Sequence, residues 1–423
     1  MSDCFVVFEP VNHMYKLIEA AKRAGLHTVV FHTMDLKPGS IYKSALASIG
    51  ESWQLDSWDD EDAALRFVNA KLEGRKVGGT YGGVEPALAL EARLRAQAGL
   101  PTHGAELLRK LVNKKWVRDR LHEAGLTRLR MFDPRAVVAE GRFPEGATGA
   151  FLKPIQGLGS IHVTHCHTVE DVARGLDVWD RQLQAYRPVF RHHLTSGGGL
   201  FLEEEAAGQL MSLEGWVANG EYTPLGIASR TVLARDVSVE MAAAFPYPHP
   251  LLGKIVEKIT AIHKVLGLVH GPTHAELIVT ASGEIELVEM NVRLGGYDFL
   301  SMISRALDLP LDELLLEVAR GGAPKVQPLP TPRRYVSMEM LLAPSGTEQL
   351  DSIEVDPDVF DIIQTKPTGH RFESTDFQND LIVRYQVQDA SYEGLLKKVD
   401  AIRHAARVNG KQLGDNPNNV VRH

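Results

Sequence analysis

Residues 273–293 read THAELIVTASGEIELVEMNVR, two strand-like runs separated by a short polar turn. Ser282 and Gly283 form a plausible two-residue hairpin loop between the runs. With a loop of that length, Glu276 pairs directly with Glu289 across the hairpin. A different loop length would shift this pairing and move the two acids apart or onto different faces.

The predicted hairpin places both carboxylates on one face of a sheet. Because residues two apart on a strand share a face, that face is also expected to carry His274, Ile278, Ile285, Leu287, Asn291 and Arg293. Two carboxylates directly opposite each other repel and require a positive partner. Carboxylate and amide oxygens suit Mg²⁺, which makes Glu276, Glu289 and Asn291 candidate metal ligands. The alternative is a solvated acidic face in which Arg293 forms an ordinary salt bridge.

Residues 151–163, FLKPIQGLGSIHV, are typical of a strand, a glycine turn and a second strand. Lys153 lies at the end of the first strand, and Gly157, Gly159 and Ser160 follow in the turn. Small residues allow consecutive backbone N–H groups to surround a phosphate, and a lysine adds a positive charge for the same oxygens. The sequence contains no Walker A motif, and an ordinary hairpin turn is the alternative interpretation.

A helix is predicted over residues 107–123, where Asn113-Lys114 and Arg118 lie one turn apart. Further basic residues lie close by in the sequence: Arg109, Lys110, Lys115 and Arg120. A ligand-binding role and a solvated basic face are therefore both open for this helix.

The N-terminal residues predict a βαβ unit with a parallel sheet. Strand-like runs at 4–8 and 27–32 flank a helical pattern that ends at Gly25. The loop after the first strand, EPVNHM, lacks the G-x-G-x-x-G of a dinucleotide site, which argues against an NAD-dependent oxidoreductase. Further helices are predicted at 87–98, 168–184, 251–266, 300–320 and 391–407, further strands at 201–205 and 211–218, and a linker at 324–332.

The composition narrows the class of protein. The chain has 423 residues, 44% of them apolar and 24% charged, a globular balance that allows roughly two to four domains. A net charge of −8 gives no basic footprint for nucleic acid, and two cysteines cannot build a disulfide framework or a four-cysteine zinc site. With no secretory signal and no membrane-spanning apolar run, we expect a cytoplasmic protein that binds neither nucleic acid nor membrane.

Taken in order along the chain, four segments resemble motifs of the ATP-grasp superfamily. They are N-K-x-x-x-R at 113–118, F-L-K-P-x-x-G-x-G-S at 151–160, F-L-E-E-E-x-x-G at 201–208 with M-S-L-E-G at 211–215, and H-x-E-x(12)-E-x-N-x-R-L-G-G at 274–296. The branch that these motifs resemble is that of the carboxylate–amine ligases typified by bacterial L-amino acid ligases, the dipeptide synthetases. The C-terminal residues match less distinctly.

The resemblance implies an α/β fold, with an α+β ATP clamp, in which a Rossmann-like N-terminal domain precedes an ATP-grasp fold. The implied divisions are a pre-ATP-grasp domain at 1–110, a small subdomain with the glycine loop at 111–200, a large subdomain with the metal site at 201–325, and a portion at 326–423 that completes or extends the clamp. It further implies ATP and Mg²⁺ (alternatively Mn²⁺) as cofactors, small-molecule carboxylate and amine substrates, and a homodimer.

Position by position, the resemblance implies roles in nucleotide binding. Lys114 and Lys153 would contact the α- and β-phosphates of ATP. The glycine loop, with Gly157, Gly159 and Ser160, would close over the phosphates. Glu203, Glu204 and the backbone near Ala206 would hold the adenine. Where many relatives have an acidic ribose contact, this sequence has Leu210, with Glu214 as a weak substitute.

The resemblance also implies a two-step reaction, in which a carboxylate attacks ATP to give an acyl phosphate and an amine then forms an amide. Glu276, Glu289 and Asn291 would bind two Mg²⁺ ions, and Arg293 would neutralise the acyl phosphate and the tetrahedral oxyanion. Further substrate-pocket candidates are His274, Gly295, Gly296 and Tyr297, with Arg230 and residues 245–250 beyond them.

Several alternatives remain open at this point. His274 is either a base for the amine or a packing and hydrogen-bonding residue, and Tyr297 is either a pocket residue or simply buried. The competing functions are an ATP-grasp enzyme with another acceptor and a nucleotide-binding module without catalysis. A module that had lost catalysis would usually have lost part of the metal and phosphate set, which this sequence keeps.

Overall fold

The computed structural model describes residues 3–11, 14–33, 49–157, 162–185, 191, 194–195, 197–234, 236–344, 346–372, 381–413 and 420–422. Gly159 and Ser160 of the predicted glycine loop lie outside these described residues, whereas Gly157 is among them. Within the described part of the chain, no helix combines the length and the apolar content needed to cross a bilayer.

A four-stranded parallel sheet forms the N-terminal region. Its strands are β1 (Cys4–Phe8), β2 (His27–His32), β3 (Glu51–Gln54) and β4 (Val77–Gly82), in the order β3-β2-β1-β4, accompanied by helices α1 (Met14–Arg23), α2 (Glu61–Lys71) and α3 (Glu85–Gln97). Along β1, Phe5 and Val7 enter one buried cluster while Val6 and Phe8 enter another, because alternate side chains point to opposite faces. A parallel sheet buried on both faces confirms the Rossmann-like prediction.

The helix predicted over 107–123 is wrong as a single element, because the chain forms two helices there. They are α4 (Ala105–Leu111) and α5 (Lys114–Glu123). Asn113 separates them as the N-cap of α5, where its side-chain oxygen accepts a hydrogen bond from the Trp116 N–H at 2.9 Å. An asparagine stabilises a helix start in this way better than a helix interior, so Lys114 begins α5.

A small antiparallel sheet follows. Its strands are β5 (Met131–Phe132), β6 (Ala150–Pro154), β7 (Thr164–Cys166) and β8 (Leu200–Glu204), in the order β5-β8-β6-β7. Helices α6 (Pro134–Glu140) and α7 (Val169–Gln182) pack their apolar residues against it. Lys153 and Glu203 both lie in this sheet, one on β6 and the other on the adjacent β8.

A large antiparallel sheet forms the rest of the core. Its strands are β9 (Gly208–Ala218), β10 (Glu221–Leu233), β11 (Asp236–Phe245), β12 (Gly271–Thr280), β13 (Ile285–Asn291), β14 (Tyr335–Leu342), β16 (Phe360–Gln364) and β17 (Leu381–Asp389), ordered β13-β12-β9-β10-β11-β14-β17-β16, with β20 (Val420–Arg422) beside β10. A separate three-stranded sheet contains β15 (Ile353–Glu354), β18 (Arg407–Val408) and β19 (Lys411–Gln412). The C-terminal strands β14, β17 and β16 therefore extend the sheet that carries the acidic hairpin.

The remaining helices are α8 (Leu252–Leu266), α9 (Phe299–Leu307), α10 (Leu311–Ala319) and α11 (Tyr392–Ala405). Helix α8 lies over the hairpin and contributes Ile255, Ile259 and Ile262 to its core. The single helix predicted at 300–320 is wrong, because α9 ends at Leu307 and the capping residue Asp308 adopts a left-handed backbone with φ of 57°.

The predicted pairing of Glu276 with Glu289 is present, but the predicted loop is wrong. Thr280 and Glu284 close a three-residue loop that ends at Gly283, not a two-residue loop. The pairing survives because Val288 is an unpaired bulge residue: Glu276 faces Glu289 while Leu277 already faces Leu287. The extra loop residue and the bulge shift the register by equal and opposite amounts.

Because of the bulge, part of the predicted assignment of β13 side chains to the two faces of the sheet is wrong. Ile285 and Leu287 were expected beside Glu289, but both are buried in the core under α8. Glu286 and Val288 instead share the opposite side with Glu276 and Glu289. A bulge reverses the alternation of side chains beyond it. Residues of β13 before Val288 therefore face the side opposite to the one that an uninterrupted alternation predicts.

Substituting Gly283 tests this loop. The residue has φ of 80°, and an L-residue in that region costs about 1 kcal/mol. Gly283→Ala should therefore lower the free energy of unfolding by about that amount. Gly253→Ala is the control, because Gly253 lies in α8 with open space around its Cα, and alanine there should be neutral or stabilising. Chemical denaturation measures both, and equal effects would contradict the three-residue loop.

Candidate active site

An open cleft lies between the small sheet and the acidic hairpin, and its space, including the part open to solvent, is about 1020 Å³. The predicted site residues that line it are Lys114, Lys153, Gly157, Glu203, Glu204, Ala206, Glu276 and Glu289. Its apolar walls include Leu129, Phe151, Val163, Leu210, Ile278 and Val288. Small-molecule sites are typically concave and lined by apolar side chains with a few charged groups, and this cleft has such a lining.

The most buried charge in the cleft is the carboxylate of Glu203. Lys153 donates to it from the neighbouring strand at 2.5 Å, and the Arg118 Nε donates to its other oxygen at 2.7 Å. Burial alone would raise the pKa of Glu203, but the charges of Lys153 and Arg118 outweigh it and lower that pKa. Burial also lowers the pKa of Lys153, and Glu203 counteracts this. The acid is thus held ionised between two cations.

Arg118 connects this pair to the hairpin. Its Nη2 donates to the backbone carbonyl of Leu287 at 2.7 Å, and its Nη1 donates to the Thr127 hydroxyl at 3.2 Å. Arg118 is buried, so the solvated basic face considered for α5 does not describe it. That interpretation holds for Lys115 and Arg120, whose partners Asp119 and Glu123 are also on the surface.

Lys114 joins the glycine turn to the hairpin. Its Nζ lies 2.7 Å from a carboxylate oxygen of Glu289 and 3.3 Å from the carbonyl oxygen of Gly157. Its backbone N–H donates to the Ile155 carbonyl at 2.9 Å. Three of the predicted site residues are therefore in direct contact.

Glu204 and Ala206 lie at the edge of the cleft. Arg130 holds both carboxylate oxygens of Glu204, at 2.8 and 2.9 Å, and this hydrogen bonding lowers the pKa of the acid. The carboxylates of Glu203 and Glu204 both have protein partners in this structure.

Two rows of polar residues run across the strands below the cleft. Glu289, Glu276 and Ser212 are in register on β13, β12 and β9, and Asn291, His274 and Glu214 form the next row on the same strands. Rows two residues apart share a face of the sheet. The register thus gathers the two predicted acidic ligands, the predicted amide ligand and the histidine.

His274 is fully buried between two carboxylates. Its Nδ1 lies 2.5 Å from Glu214 and its Nε2 lies 3.0 Å from Glu276. Burial lowers the pKa of the imidazole, but the two acids raise it to a net value of about 9. A histidine that is already protonated at neutral pH cannot accept a proton from an amine, which favours the hydrogen-bonding role of His274 over the role of a base.

A second cation, Arg230, lies beside Glu276. From the sequence, Arg230 was only a further candidate for the substrate pocket. The Arg230 Nη2 lies 3.3 Å from Glu276 and 2.6 Å from Glu240. Burial raises the pKa of Glu276, but His274 and Arg230 lower it to about 2. Burial and the neighbouring acids, against the pull of Arg230, raise the pKa of Glu240 to about 7. Glu240 was missed because a single acid on a strand carries no motif.

Arg293 and its partner close this side of the site. The Arg293 Nε and Nη2 approach the same carboxylate oxygen of Glu85 at 2.8 and 2.6 Å. Glu85 starts α3 in the N-terminal region, and no sequence signal connected it to Arg293. Burial lowers the pKa of Arg293, but Glu85 and then Glu289 raise it. The alternative interpretation of the hairpin gave Arg293 an ordinary salt bridge, and the partner of Arg293 in the structure is Glu85.

The remaining predicted residues follow Arg293. A Cβ on Gly295 would lie 2.7 Å from the Phe299 ring and 3.0 Å from the His274 Nδ1, so packing requires glycine there. Gly296 accepts a hydrogen bond from the Phe299 N–H. Tyr297 is half-buried with φ of 51°, and its ring lies 5.3 Å from the Arg384 guanidinium.

Of Leu210 and Glu214, the two residues considered at the ribose position, only Leu210 lines the cleft. Glu214 is fully buried and is held by His274, so its proposed substitution for the missing ribose acid is wrong.

Comparisons with known proteins agree with this architecture. Residues 148–299 match the ATP-grasp domain and residues 18–102 match the ATP-grasp N-terminal domain. The L-amino acid ligase structure from Bacillus licheniformis is similar to this chain, with a TM-score of 0.80 and 17% identity over 97% of this chain and 99% of that one. The phosphoribosylglycinamide synthetase structure from Anaerococcus prevotii gives a TM-score of 0.70 and 14% identity over 97% of this chain and all of that one (100%).

Among curated proteins, alanine–anticapsin ligase of Bacillus subtilis strain 168 is 23% identical over 248 residues, which is 56% of this chain and 52% of that protein. The aligned part of the chain spans about half the length of this relative. The predicted ATP-grasp fold and the resemblance to its ligase branch are therefore confirmed.

The titration of His274 can be measured directly. A folded-state pKa of about 9 lies above the usual 6.5, so the imidazolium stabilises the fold fully below pH 6.5 and this contribution is lost as the pH rises through about 9. The loss is on the order of 3 kcal/mol. NMR of histidine-labelled protein should show one resonance that titrates near pH 9 and disappears in His274→Gln.

His404→Gln is the control for that experiment, because His404 is exposed on α11. It should remove a different resonance and leave the pH dependence of stability unchanged. If no histidine titrates above its usual range, the buried imidazolium is refuted.

Proposed function

The chain is an ATP-grasp protein, and we propose that it is an ATP-dependent ligase that joins a carboxylate to an amine through an acyl phosphate. The observation that carries the proposal is the meeting of two opposed carboxylates and two lysines in one cleft: Glu276 and Glu289 are register partners, and Lys114 and Lys153 line the same space. This is the charge pattern that transfer of a phosphoryl group requires.

The lysines serve the phosphates of ATP in this proposal. Lys114 contacts Glu289 and the carbonyl oxygen of Gly157 at the start of the glycine turn. Lys153 lies on β6, next to the strand β8 that carries Glu203 and Glu204. Phosphoryl transfer depends on positioning and charge neutralisation more than on covalent catalysis. The lid role of the glycine loop remains a prediction from the sequence.

The donor set fits Mg²⁺. Two carboxylates and the buried amide of Asn291 offer the hard oxygen ligands that this ion prefers together with substrate phosphates. Bound there by Glu276, Glu289 and Asn291, Mg²⁺ would supply positive charge at the β- and γ-phosphates. His274 and Arg230 keep Glu276 ionised, so that it is ready to act as a ligand.

Arg293 serves the acyl phosphate and the oxyanion that forms when the amine attacks. Its guanidinium is fixed by Glu85 and keeps its positive charge. Fixed cations stabilise developing negative charge at little reorganisation cost. Since His274 is held protonated, we propose that the amine enters in its neutral form.

Amino acids are the proposed substrates. The named relatives, an L-amino acid ligase and an alanine–anticapsin ligase, support this class. So does the site: the Arg230 Nε and Nη1 and one Glu240 oxygen are buried without hydrogen-bond partners among the described residues. A guanidinium and a carboxylate of this kind suit the carboxylate and ammonium groups of an amino acid. Tyr297 and the adjacent Gly295 and Gly296 would border the acceptor.

The proposal extends to organisation and location. We retain the division at 1–110, 111–200, 201–325 and 326–423, and a homodimeric state, which light scattering would test. Cys4 and Cys166 are free buried thiols, which suits the reducing cytoplasm. A different acceptor, or a nucleotide-binding module without turnover, is the competing function.

Glu289→Gln should abolish Mg²⁺-dependent ADP release with every acid and amine pair, because it removes a ligand charge at the phosphates. Glu284→Gln is the matched control on the same hairpin, since Glu284 is exposed and points to Arg128, and it should keep full activity. ADP release across a panel of amino acids, with product mass spectrometry, makes the measurement. Absence of ADP release from the wild-type protein with every pair, while ATP still binds, would favour the non-catalytic module.

Arg293→Lys should lower kcat by roughly 10²–10³-fold, because lysine cannot keep both contacts to Glu85 and aims its charge differently. Glu85→Gln keeps the guanidinium but weakens its anchor, and a smaller loss is expected. Steady-state kinetics of ADP release separates the two. Unchanged kcat in Arg293→Lys would remove Arg293 from the reaction.

A further inference from the structure

A second set of metal-type ligands lies outside the cleft. His165 belongs to β7, His167 follows that strand by one residue, and Glu205 follows β8. Their ligand atoms all lie within 4.8 Å of one another, and the His165 Nε2 lies 3.0 Å from a Glu205 oxygen. The reaction proposed above uses none of the three. We propose that they bind one divalent transition-metal ion, with Zn²⁺ as the representative.

The backbone gives these side chains a common direction. The ring centroids of His165 and His167 lie 4.2 Å apart, so both imidazoles are on the same side of the chain. The Glu205 N–H donates to the Gly149 carbonyl at 3.0 Å, which fixes the residue opposite them. The ring of Phe151 stacks on His165 at 4.6 Å and holds its plane.

Hydrogen bonding also selects the ligand atom of His167. Its Nδ1 lies 3.2 Å from the Thr148 carbonyl oxygen. A carbonyl can only accept, so Nδ1 carries the proton and Nε2 presents its lone pair. Histidines that bind metals commonly donate their other N–H to a backbone carbonyl in this way.

Gly149 leaves the space in which the three ligands meet. A Cβ at this position would lie 2.2 Å from the Glu205 Oε2, 3.0 Å from the His165 Nε2 and 3.3 Å from the His167 Cε1. Any larger residue would therefore displace the carboxylate. Glycine at this position is therefore what allows the two imidazoles and the carboxylate to lie so close together.

The types of ligand indicate which class of metal ion this site would bind. Two imidazoles and one carboxylate suit Zn²⁺ and its first-row neighbours, whereas Mg²⁺ prefers oxygen. Three protein ligands leave a position for water. The ion would differ chemically from the one proposed in the cleft, where the donors are two carboxylates and an amide.

The position of Glu205 means that an ion bound there would affect the edge of the cleft. Glu205 lies between Glu204 and Ala206, and both of these line the cleft. A metal bound to Glu205 would tie the segment between β8 and β9 to β7. Occupancy would thus restrain the edge where a nucleotide base is expected to lie.

Zn²⁺ titration calorimetry on the full chain, in excess Mg²⁺, tests the proposal without relying on activity. The wild-type protein should bind one equivalent that weakens at least about tenfold in His167→Gln and in Glu205→Gln. His122→Gln is the control, because His122 is exposed on α5 and contacts the Leu129 carbonyl, and it should bind normally. Thermal melting with and without Zn²⁺ should show the same ranking, since binding to the folded state raises Tm.

Two results would overturn the site. One is Zn²⁺ binding that is unchanged in His167→Gln. The other is binding that disappears in Glu289→Gln, which would assign the ion to the cleft. Gly149→Ala provides a further check, because its Cβ should weaken Zn²⁺ binding while both histidines and Glu205 remain present.

Discussion

The cleft depends on one buried carboxylate. Glu203 on β8 accepts hydrogen bonds from Lys153 on β6 and from Arg118 on α5, and Arg118 also donates to the Leu287 carbonyl on the hairpin. A single acid therefore connects the small sheet, a helix and the large sheet. Taking an ion out of water costs several kcal/mol, and here two cations offset that cost for one anion. Because a missing partner would leave an unbalanced buried charge, the relative position of the cleft walls is set by this pair of contacts.

The same logic applies to the two acids of the hairpin. Glu276 and Glu289 repel each other across the strands, yet each has its own cation: His274 and Arg230 beside the first, Lys114 beside the second. The net charge of −8 works against an anionic ligand, but Lys114 and Lys153 line the cleft and supply positive charge locally. In the proposed reaction Lys114 would exchange Glu289 for a phosphate, so the cation that stabilises the free site also serves the bound nucleotide.

Much of this was readable in the sequence, for identifiable reasons. The βαβ start, the strand that carries Lys153 and the opposition of Glu276 to Glu289 all follow from local pattern. The last of these was right although the loop was wrong, because the bulge at Val288 cancels the extra loop residue. The faces of Ile285 and Leu287 were wrong for the same reason, since a bulge is not visible in an alternating pattern. Asn113 ended a predicted helix because capping competes with helix continuation.

The sequence by itself determined which chemical groups the protein holds and their order along the chain, enough to identify an ATP-grasp fold. Only the tertiary structure decided their partners. Glu85 reaches Arg293 and Glu214 reaches His274 across 208 and 60 residues, and such pairs follow from which strands and helices become neighbours. The tertiary structure also determined that His274 is protonated and that Glu276 is ionised. Burial and charge at a few ångströms set a pKa, and those distances exist only once the chain is folded.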